Sequence, residues 1–194
     1  MIWAVVLAAG ESRRMGTQKL LLPYGEATVV EAVAAAALGS RVDRVLAVLG
    51  ADADEVRRAL GRGAAAENIA FAFNEDFRSG MLSSVQTAFR ALPSDAAAAV
   101  VMLGDQPFVA TRVIDAVVGA YRKGGRGIVV PVFGGKRGHP VLVDLKYRDE
   151  VLGLDPADGL RQLLRAHPED VEEVEADDPA ILRDLDTPAD YQEV

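Results

Sequence analysis

Short runs of apolar residues, many of them β-branched, alternate along the chain with longer segments in which apolar positions recur at helical spacing. Runs of the first kind predict buried strands, and segments of the second kind predict helices with one apolar face. Regular alternation of the two is typical of βαβ units. We therefore expect an α/β fold with three layers, in which a twisted, mixed but mostly parallel sheet carries helices on both faces.

The same patterns place the individual elements. Strands are predicted at Ile2–Ala8, Arg44–Leu49, Ile69–Phe73, Ala98–Leu103, 127–133, Val141–Asp144 and 171–174. Helices are predicted at 28–39, 52–61, 81–92, 111–123 and near 159–166. The strand Val141–Asp144 follows its predecessor after a turn that is too short for a crossover helix, so we expect it to pair antiparallel.

Length and composition limit the classes of protein to which this chain can belong. With 194 residues, of which 50% are hydrophobic, the chain can bury one sizeable core, and we expect one domain over residues 1–194. The 29 acidic residues outnumber the 21 basic ones and give a net charge of -8. Such a charge argues against a general nucleic-acid or anionic-membrane surface, so any basic site must be local.

Several kinds of site and location are made improbable by the residues that the chain lacks. It has no cysteine, which excludes disulfides, thiol nucleophiles and cysteine metal sites, and only His139 and His167 would be available to a histidine metal site. The apolar opening segment lacks the preceding positive charge of a signal peptide, and no stretch reaches the roughly 20 apolar residues of a membrane span. We expect a cytoplasmic protein with no membrane segment.

The segment LAAGESRRMGTQKLLLP, residues 7–23, follows the first strand and is the strongest candidate for chemistry. Ligands in open α/β sheets bind outside the carboxyl ends of the strands, which is where Gly10 should lie. Glycine lets backbone N–H groups approach phosphate oxygens, and Arg13, Arg14 and Lys19 supply fixed positive charge. The spacing matches neither a P-loop nor the GxGxxG fingerprint. A tight surface turn with solvated arginines would explain the same residues.

Together with four later segments, this loop resembles a known family. LAAGESRRMGTQKLLLP matches the signature LAAGxSxRMGxxKxLLP of the MobA-like nucleotidyltransferases, and NEDFRSGMLSSVQTA, GDQP, GHPV and DLDTPAD are similar to further segments of that family. The resemblance covers the chain from Ile2 to about Tyr191. LAAG and GDQP followed by GHP look most like the molybdenum cofactor cytidylyltransferases. The resemblance implies a Rossmann-like nucleotidyltransferase fold and transfer of CMP from CTP to the phosphate of molybdopterin, with release of pyrophosphate.

That reaction would require positive charge and a metal ion at the triphosphate. In-line displacement at the α-phosphorus is catalysed mainly by positioning and charge neutralisation. By resemblance, Arg14 and Lys19 would grip the triphosphate, Arg13 would be auxiliary, and Asp105 and Asp186 would bind Mg²⁺, which prefers oxygen ligands. Asp105 would thus join Arg14 and Lys19 as a catalytic residue.

Both carboxylates also have an ordinary structural interpretation. GDQP is a common Asp-led turn after a strand. DTPAD would equally serve as a helix entrance in which Asp186 or Thr187 caps the helix and Pro188 occupies its first turn. For Asp186 both interpretations stay open.

The resemblance also assigns residues to the nucleotide and to the acceptor. Those expected to bind the nucleotide are Leu7, Ala8, Ala9, Gly10, Arg14, Lys19, Asn74, Gly80 and Ser84, with Met81 close by. We hypothesise that alanine at the third position of LAAG, where guanylyl-transferring relatives carry glycine, narrows the base site towards a pyrimidine. His139 and Arg137 are expected on the acceptor side, where His139 would position the acceptor without transferring a proton.

The acceptor itself and the partners stay open. The cytidylyltransferases carry a GDxGAR-like segment, and the corresponding PADGLRQLL keeps only Gly159 and Arg161 of that motif. A molybdoenzyme or maturation partner that receives the finished cofactor is implied only by the resemblance. Two alternatives remain: a nucleotide-binding oxidoreductase, since some relatives of this family act on small heterocycles, and a noncatalytic nucleotide-binding protein of the same fold.

Overall fold

The structure is a computed structural model that describes residues 1–12, 15–62, 66–156 and 158–192. The strands in these ranges are β1 Ile2–Ala8, β2 Pro23–Tyr24, β3 Ala27–Thr28, β4 Arg44–Leu49, β5 Ile69–Phe73, β6 Ala98–Leu103, β7 Ile128–Phe133, β8 Lys136–Arg137, β9 Val141–Asp144 and β10 Val171–Glu175. The α-helices are α1 Val29–Leu38, α2 Ala53–Leu60, α3 Met81–Ala91, α4 Thr111–Arg122, α5 Arg148–Gly153, α6 Arg161–Ala166 and α7 Pro188–Gln192.

One sheet organises the molecule, with the strand order β10-β7-β9-β6-β1-β4-β5 and with β8 paired to β7. Strands β10, β7, β6, β1, β4 and β5 run in one direction, because each parallel pair shares it and β9 lies antiparallel between β7 and β6. The carboxyl ends of β1 and β6 therefore lie side by side at one edge of the sheet, with Leu7 opposite Leu103. This is the edge at which open α/β sheets bind ligands.

Alternate residues of the central strands pack against different helix layers, as a side-chain period of two requires. In β1, Ala4 and Val6 belong to the core that contains most buried residues of α1 and those of α2 and α4, whereas Val5 belongs to the core beneath α3 and α5. All six residues of β6 are buried, as expected for a central strand covered on both faces. The predicted three-layer α/β fold is confirmed.

The predicted strands and helices agree closely with those observed, and β9 pairs antiparallel as expected. The sequence analysis missed β2, β3 and β8, because strands of two residues are too short to show alternation. It also missed the six-residue helix α5. In the described part of the chain, no helix has the length and apolar character needed to cross a membrane.

Candidate active site

A cleft of about 450 Å³ opens at the carboxyl ends of β1 and β6. Its lining combines the loop after β1, the turn after β6, the start of α3 and the segment before α7. The lining residues are Leu7, Ala9, Gly10, Glu11, Ser12, Lys19, Leu20, Phe77, Arg78, Gly80, Met81, Ser84, Leu103, Asp105 and Asp186. Four separate sequence segments that were predicted to carry chemistry therefore face one cavity.

Close contact between the ends of β1 and β6 places Asp105 in this cleft. The N–H of Gly104 donates to the carbonyl of Leu7 at 3.0 Å. A Cβ on Gly104 would lie 2.7 Å from that carbonyl oxygen, which is closer than real Cβ atoms approach. Glycine is therefore required where β6 ends, and Asp105 follows it directly.

The centre of the cleft is a three-residue charge cluster. The Lys19 ammonium donates to Asp105 Oδ2 at 2.5 Å and to Asp186 Oδ1 at 2.8 Å. Asp186 is brought to this position because the backbone N–H of Leu185 donates to the carbonyl of Asp105 at 3.0 Å. Two carboxylates that lie far apart in sequence thus face one cation.

Burial and charge act in opposite directions within this cluster. Burial alone would lower the pKa of Lys19, but the charges and hydrogen bonds of Asp105 and Asp186 outweigh it and raise that pKa. Burial also raises the pKa of Asp105, and the attraction of Lys19 does not fully offset it. A carboxylate in this position gains strongly from any further cation beside it.

The contacts at the start of α7 show whether Asp186 caps this helix or faces the cleft. Thr187 and Asp190 form reciprocal hydrogen bonds there: Thr187 N and Oγ1 donate to Asp190 Oδ2 at 2.7 and 2.8 Å, and Asp190 N donates to Thr187 Oγ1 at 3.3 Å. Thr187 therefore makes the capping contacts. The carboxylate of Asp186 points instead to Lys19.

Two carboxylates about one position fit a magnesium site that is completed by a ligand. Within residues 1–12, 15–62, 66–156 and 158–192, no group of three or more acidic or histidine side chains is arranged to hold a metal ion. Mg²⁺ commonly takes one or two carboxylates and draws its other ligands from phosphate oxygens and water. Asp105 and Asp186 meet that description with a triphosphate present.

Most of the described residues predicted to bind nucleotide line the cleft, but two do not. Leu7, Ala9, Gly10, Lys19, Gly80 and Ser84 are in its wall. Ala8 is fully buried, and Asn74 is 3% exposed. The Asn74 amide donates to Ser83 Oγ and Ser84 Oγ at 2.8 and 3.0 Å, so it organises the start of α3. Arg14, predicted to grip the triphosphate, and Arg13 lie outside the described residues.

Further residues in or beside the cleft were not found by sequence reasoning. Arg78 Nε donates to Glu11 Oε1 at 2.9 Å and thereby joins the loop after β1 to the segment before α3. Gly50, at the end of β4, lies so close to Ala9 and Phe77 that a Cβ would come within 2.8 Å of both. No short motif marks these contacts, because they depend on how three loops meet.

A second cavity of about 500 Å³ adjoins the first, and Met81 lines both. Its floor is apolar and includes Val85, Val101 and Leu164, and its rim carries Arg137, Arg161 and Arg165. The two residues predicted on the acceptor side, His139 and Arg137, both lie here.

The polar residues of this second cavity differ in their charge state. Burial lowers the pKa of His139 to about 4, while the charge of Asp105 acts to raise it and the charge of Arg161 to lower it. The ring is therefore neutral at physiological pH. Arg137 Nε donates to Glu173 at 2.7 Å. Positive charge in this cavity therefore comes from the arginines, whereas His139 offers only hydrogen bonds.

Comparison with known proteins relates this chain to one family of nucleotide-using enzymes. Residues 4–171 match the family model described as the MobA-like NTP transferase domain. The molybdenum cofactor cytidylyltransferase of Escherichia coli is 29% identical over 187 residues, which cover 96% of this chain and 92% of that protein. The nicotine blue oxidoreductase of Paenarthrobacter nicotinovorans is 32% identical over 200 residues, covering 96% and 92%.

Among solved structures, Rv0371c of Mycobacterium tuberculosis in complex with manganese is similar with a TM-score of 0.80 and 28% identity. The similarity covers 99% of this chain and 96% of that one. That protein thus combines a similar fold with bound manganese.

Proposed function

Because the chain belongs to the MobA-like NTP transferase family, we propose that it transfers CMP from CTP to a phosphate of a molybdopterin-type acceptor and releases pyrophosphate. Mg²⁺ is the proposed metal ion. The observation that carries the proposal is the meeting of Lys19, Asp105 and Asp186 in a cleft that adjoins a second, arginine-rimmed cavity.

The chemistry assigned to the first cleft follows from its charges. In the transfer, an acceptor phosphate oxygen attacks the α-phosphorus and pyrophosphate leaves from the opposite side. Mg²⁺ bound by Asp105 and Asp186 would neutralise charge on the phosphates. Lys19 contacts both carboxylates, so it is placed to bind the phosphate oxygens of the same metal-bound chain. Arg14, from its place in the sequence motif, would add a second cation.

The base specificity is assigned to the start of the loop. Leu7 and Ala9 line the cleft, and Ala9 is 4% exposed, so it packs against its surroundings while its backbone borders the ligand space. The close packing of Gly50 against Ala9 and Phe77 limits how far this wall can yield. A wall that cannot yield favours the smaller pyrimidine over a purine, which supports CTP as donor.

The acceptor is assigned to the second cavity. An apolar floor with arginines at the rim suits a flat heterocycle that carries a phosphate, since guanidinium groups bind phosphate through paired hydrogen bonds. The attacking oxygen of a phosphate is already ionised and needs no general base. A neutral His139 therefore fits a positioning role. A molybdoenzyme or a maturation protein would receive the product.

A relative named as an oxidoreductase makes hydride transfer to a heterocycle the second candidate function. The acceptor cavity would suit a heterocycle in that reaction as well. Paired carboxylates around a lysine, however, have no role in hydride transfer, whereas they suit a metal-bound triphosphate. Oxidation of a reduced nicotinamide by this protein in the presence of a heterocyclic substrate would favour the second candidate.

The test is pyrophosphate release with Mg²⁺ and each of CTP, GTP and ATP, with and without molybdopterin. We expect release that depends on CTP, on the metal and on the acceptor, and loss of the signal when the metal is chelated. The rate of pyrophosphate release without molybdopterin measures hydrolysis of the donor, and it is subtracted to obtain the rate of transfer. Release with GTP at a rate equal to that with CTP would contradict the base assignment, and no release with any donor would contradict the proposed transfer.

A further inference from the structure

The side chain of Gln18, which lies in the loop after β1, contacts three residues that line the cleft, Gly10, Ser12 and Leu20, and a fourth residue, Asp52, outside it. Its Nε2 donates to the carbonyl of Gly10 at 3.1 Å and to Asp52 Oδ2 at 3.0 Å. Its Oε1 accepts from Ser12 Oγ at 2.7 Å and from the N–H of Leu20 at 3.5 Å. The first three contacts are short, and the fourth is long.

These partners fix the orientation of the amide. A backbone carbonyl and a carboxylate only accept hydrogen bonds, so the NH₂ group must face Gly10 and Asp52. A backbone N–H only donates, so the oxygen must face Leu20. Both donor hydrogens and the oxygen of Gln18 are therefore engaged within the protein. The amide acts as a connector between protein segments, and its hydrogen-bonding groups do not point to a ligand.

Gln18 helps to fix the backbone position of Lys19, the residue that follows it. Gln18 is the N-cap of the short 3-10 helix Lys19–Leu21, and the N–H of Lys19 donates to Ser12 Oγ at 3.1 Å. Ser12 has a φ of 50°, in the left-handed region that is unfavourable for residues with a side chain. The hydrogen bond from Ser12 Oγ to Gln18 helps to hold that conformation, and Ser12 in turn anchors the backbone of Lys19.

The contact with Asp52 extends this connection to a different strand. Asp52 stands at the N-cap position of α2, just beyond β4, and it also has a φ of 50°. Gln18 thus ties the loop after β1 to the loop after β4, so the start of the Lys19 turn is held from both sides.

We propose that Gln18 is a positioning residue that holds the Lys19 ammonium in place for the triphosphate. The proposal rests on the proposed nucleotidyl transfer. It assigns to Gln18 no contact with substrate and no proton transfer. Its effect passes through the backbone of Ser12 and Lys19, and it should therefore appear in turnover more than in the amount of folded protein.

The informative substitution is Gln18→Glu, which keeps the shape and the accepting oxygen. The second oxygen would face the carbonyl of Gly10 and the carboxylate of Asp52, and both of these contacts would become repulsive. We expect kcat for pyrophosphate release to fall about 10- to 100-fold, the range for a displaced catalytic group, with a smaller change in KM. If Gln18→Glu does not fold, Gln18→Ala is used in its place, because it removes all four contacts without adding a charge. Its kcat should also be lower than that of the wild-type protein.

Rescue by Asp52→Asn separates positioning from general damage. An asparagine at position 52 can still accept from Gln18, so Asp52→Asn alone should change kcat less than threefold. In Gln18→Glu/Asp52→Asn, the new amide would donate to the new carboxylate, and kcat should rise several-fold above that of Gln18→Glu. Additive losses in the double variant would overturn the proposal.

Gln86→Glu serves as the matched control. Gln86 Nε2 donates to the carbonyls of Val151, Leu152 and Leu154, and none of these four residues is among those that line the two cavities. This substitution should lower the melting temperature and leave kcat unchanged. If Gln18→Glu behaved in the same way, Gln18 would have only a structural role.

Hydrogen exchange of the peptide over residues 7–22 gives a readout that does not depend on activity. We expect faster exchange in Gln18→Glu than in the wild-type protein, and partial restoration in the double variant. If the wild-type protein releases no pyrophosphate, the proposed function fails, and this exchange pattern still decides whether Gln18 holds the loop. Unchanged exchange together with unchanged kcat would overturn the proposal.

Discussion

Two lysines are paired with carboxylates at opposite edges of the same sheet, and they differ in what surrounds them. Lys19 meets Asp105 and Asp186 beyond the carboxyl ends of β1 and β6, and its side chain is 13% exposed. Lys146 meets Asp170 at 2.7 Å beside the amino ends of β7 and β10, and its side chain is 53% exposed. The residue types are alike, but Lys19, Asp105 and Asp186 line a cleft, whereas the Lys146 side chain is exposed.

The pKa of Asp170 and the pKa of Asp105 are shifted in opposite directions. At Asp170, burial is outweighed by hydrogen bonds from Lys146 and Tyr147, which lower the pKa to about 2. At Asp105, burial prevails over Lys19 and raises the pKa. A carboxylate that its neighbours satisfy contributes to stability, whereas one with a raised pKa is suited to bind a further cation. Asp105, at the carboxyl ends of the strands, is thus suited to bind a cation, whereas Asp170, at the amino ends, stabilises the fold.

Replacing each lysine in turn gives the largest expected contrast. Lys19→Met should reduce kcat/KM for pyrophosphate release by at least about 100-fold, since a charge contact to a reacting phosphate is lost. Lys146→Met should leave kcat/KM within about twofold and lower the free energy of unfolding by up to about 1 kcal/mol, as for an exposed ion pair. Steady-state kinetics and chemical denaturation of both variants measure the two effects.

The contrast would be broken by equal activity losses in the two lysine variants. It would also be broken if Lys19→Met reduced activity only in proportion to the folded fraction. Circular dichroism of each variant under assay conditions excludes that second explanation when both spectra match the wild type.

The next contrast concerns the carboxylates. Asp105→Asn should lower kcat by about 100-fold and raise the Mg²⁺ concentration needed for half-maximal rate, because one of two metal ligands loses its charge. Because the raised pKa of Asp105 opposes folding at neutral pH, the same substitution should not lower the free energy of unfolding there. Metal titrations of the rate, with denaturation in parallel, test both statements. If the variant needed the same Mg²⁺ concentration for half-maximal rate as the wild type, Asp105 would not be a metal ligand.

Two glycines extend the comparison to the backbone. A Cβ on Gly10 would meet nothing within 4 Å among the described residues, whereas a Cβ on Gly127 would overlap the Asp170 carboxylate and lie 2.9 Å from Lys146 Nζ. Gly127→Ala should therefore destabilise the fold by about 1 kcal/mol or more with unchanged KM. Gly10→Ala should leave stability nearly unchanged and raise the KM for CTP several-fold, because a phosphate must approach this backbone. Melting curves and kinetics separate the two.

The sequence predicted the fold well because its strands are buried on both faces and the helices between them show clear periodicity. It also led to Lys19, Asp105 and Asp186, because all three fall in motif segments, and the structure brings them together in one cleft. It did not predict the connector Gln18, the Asn74 contacts at the start of α3 or the salt bridge from Arg78 to Glu11. The contacts of Gln18 with Asp52 and of Arg78 with Glu11 join loops that follow different strands, and the Asn74 contacts join the end of β5 to the start of α3. No periodicity or motif spacing encodes such contacts.

The pH dependence of stability gives the smallest expected effect and tests the amino edge alone. The folded pKa of Asp170, about 2, lies below its ordinary value of 3.8, so the folded state binds fewer protons than the unfolded state. The stability that Asp170 contributes is therefore fully present above about pH 4 and is lost as the pH falls through the folded pKa. Asp170→Asn should lower the free energy of unfolding near neutral pH by about 1 kcal/mol, allowing for solvent screening, and this difference should shrink towards zero below about pH 3. Urea denaturation of both proteins across this range measures it. A difference that is constant with pH would mean that shape, and not charge, makes Asp170 stabilising.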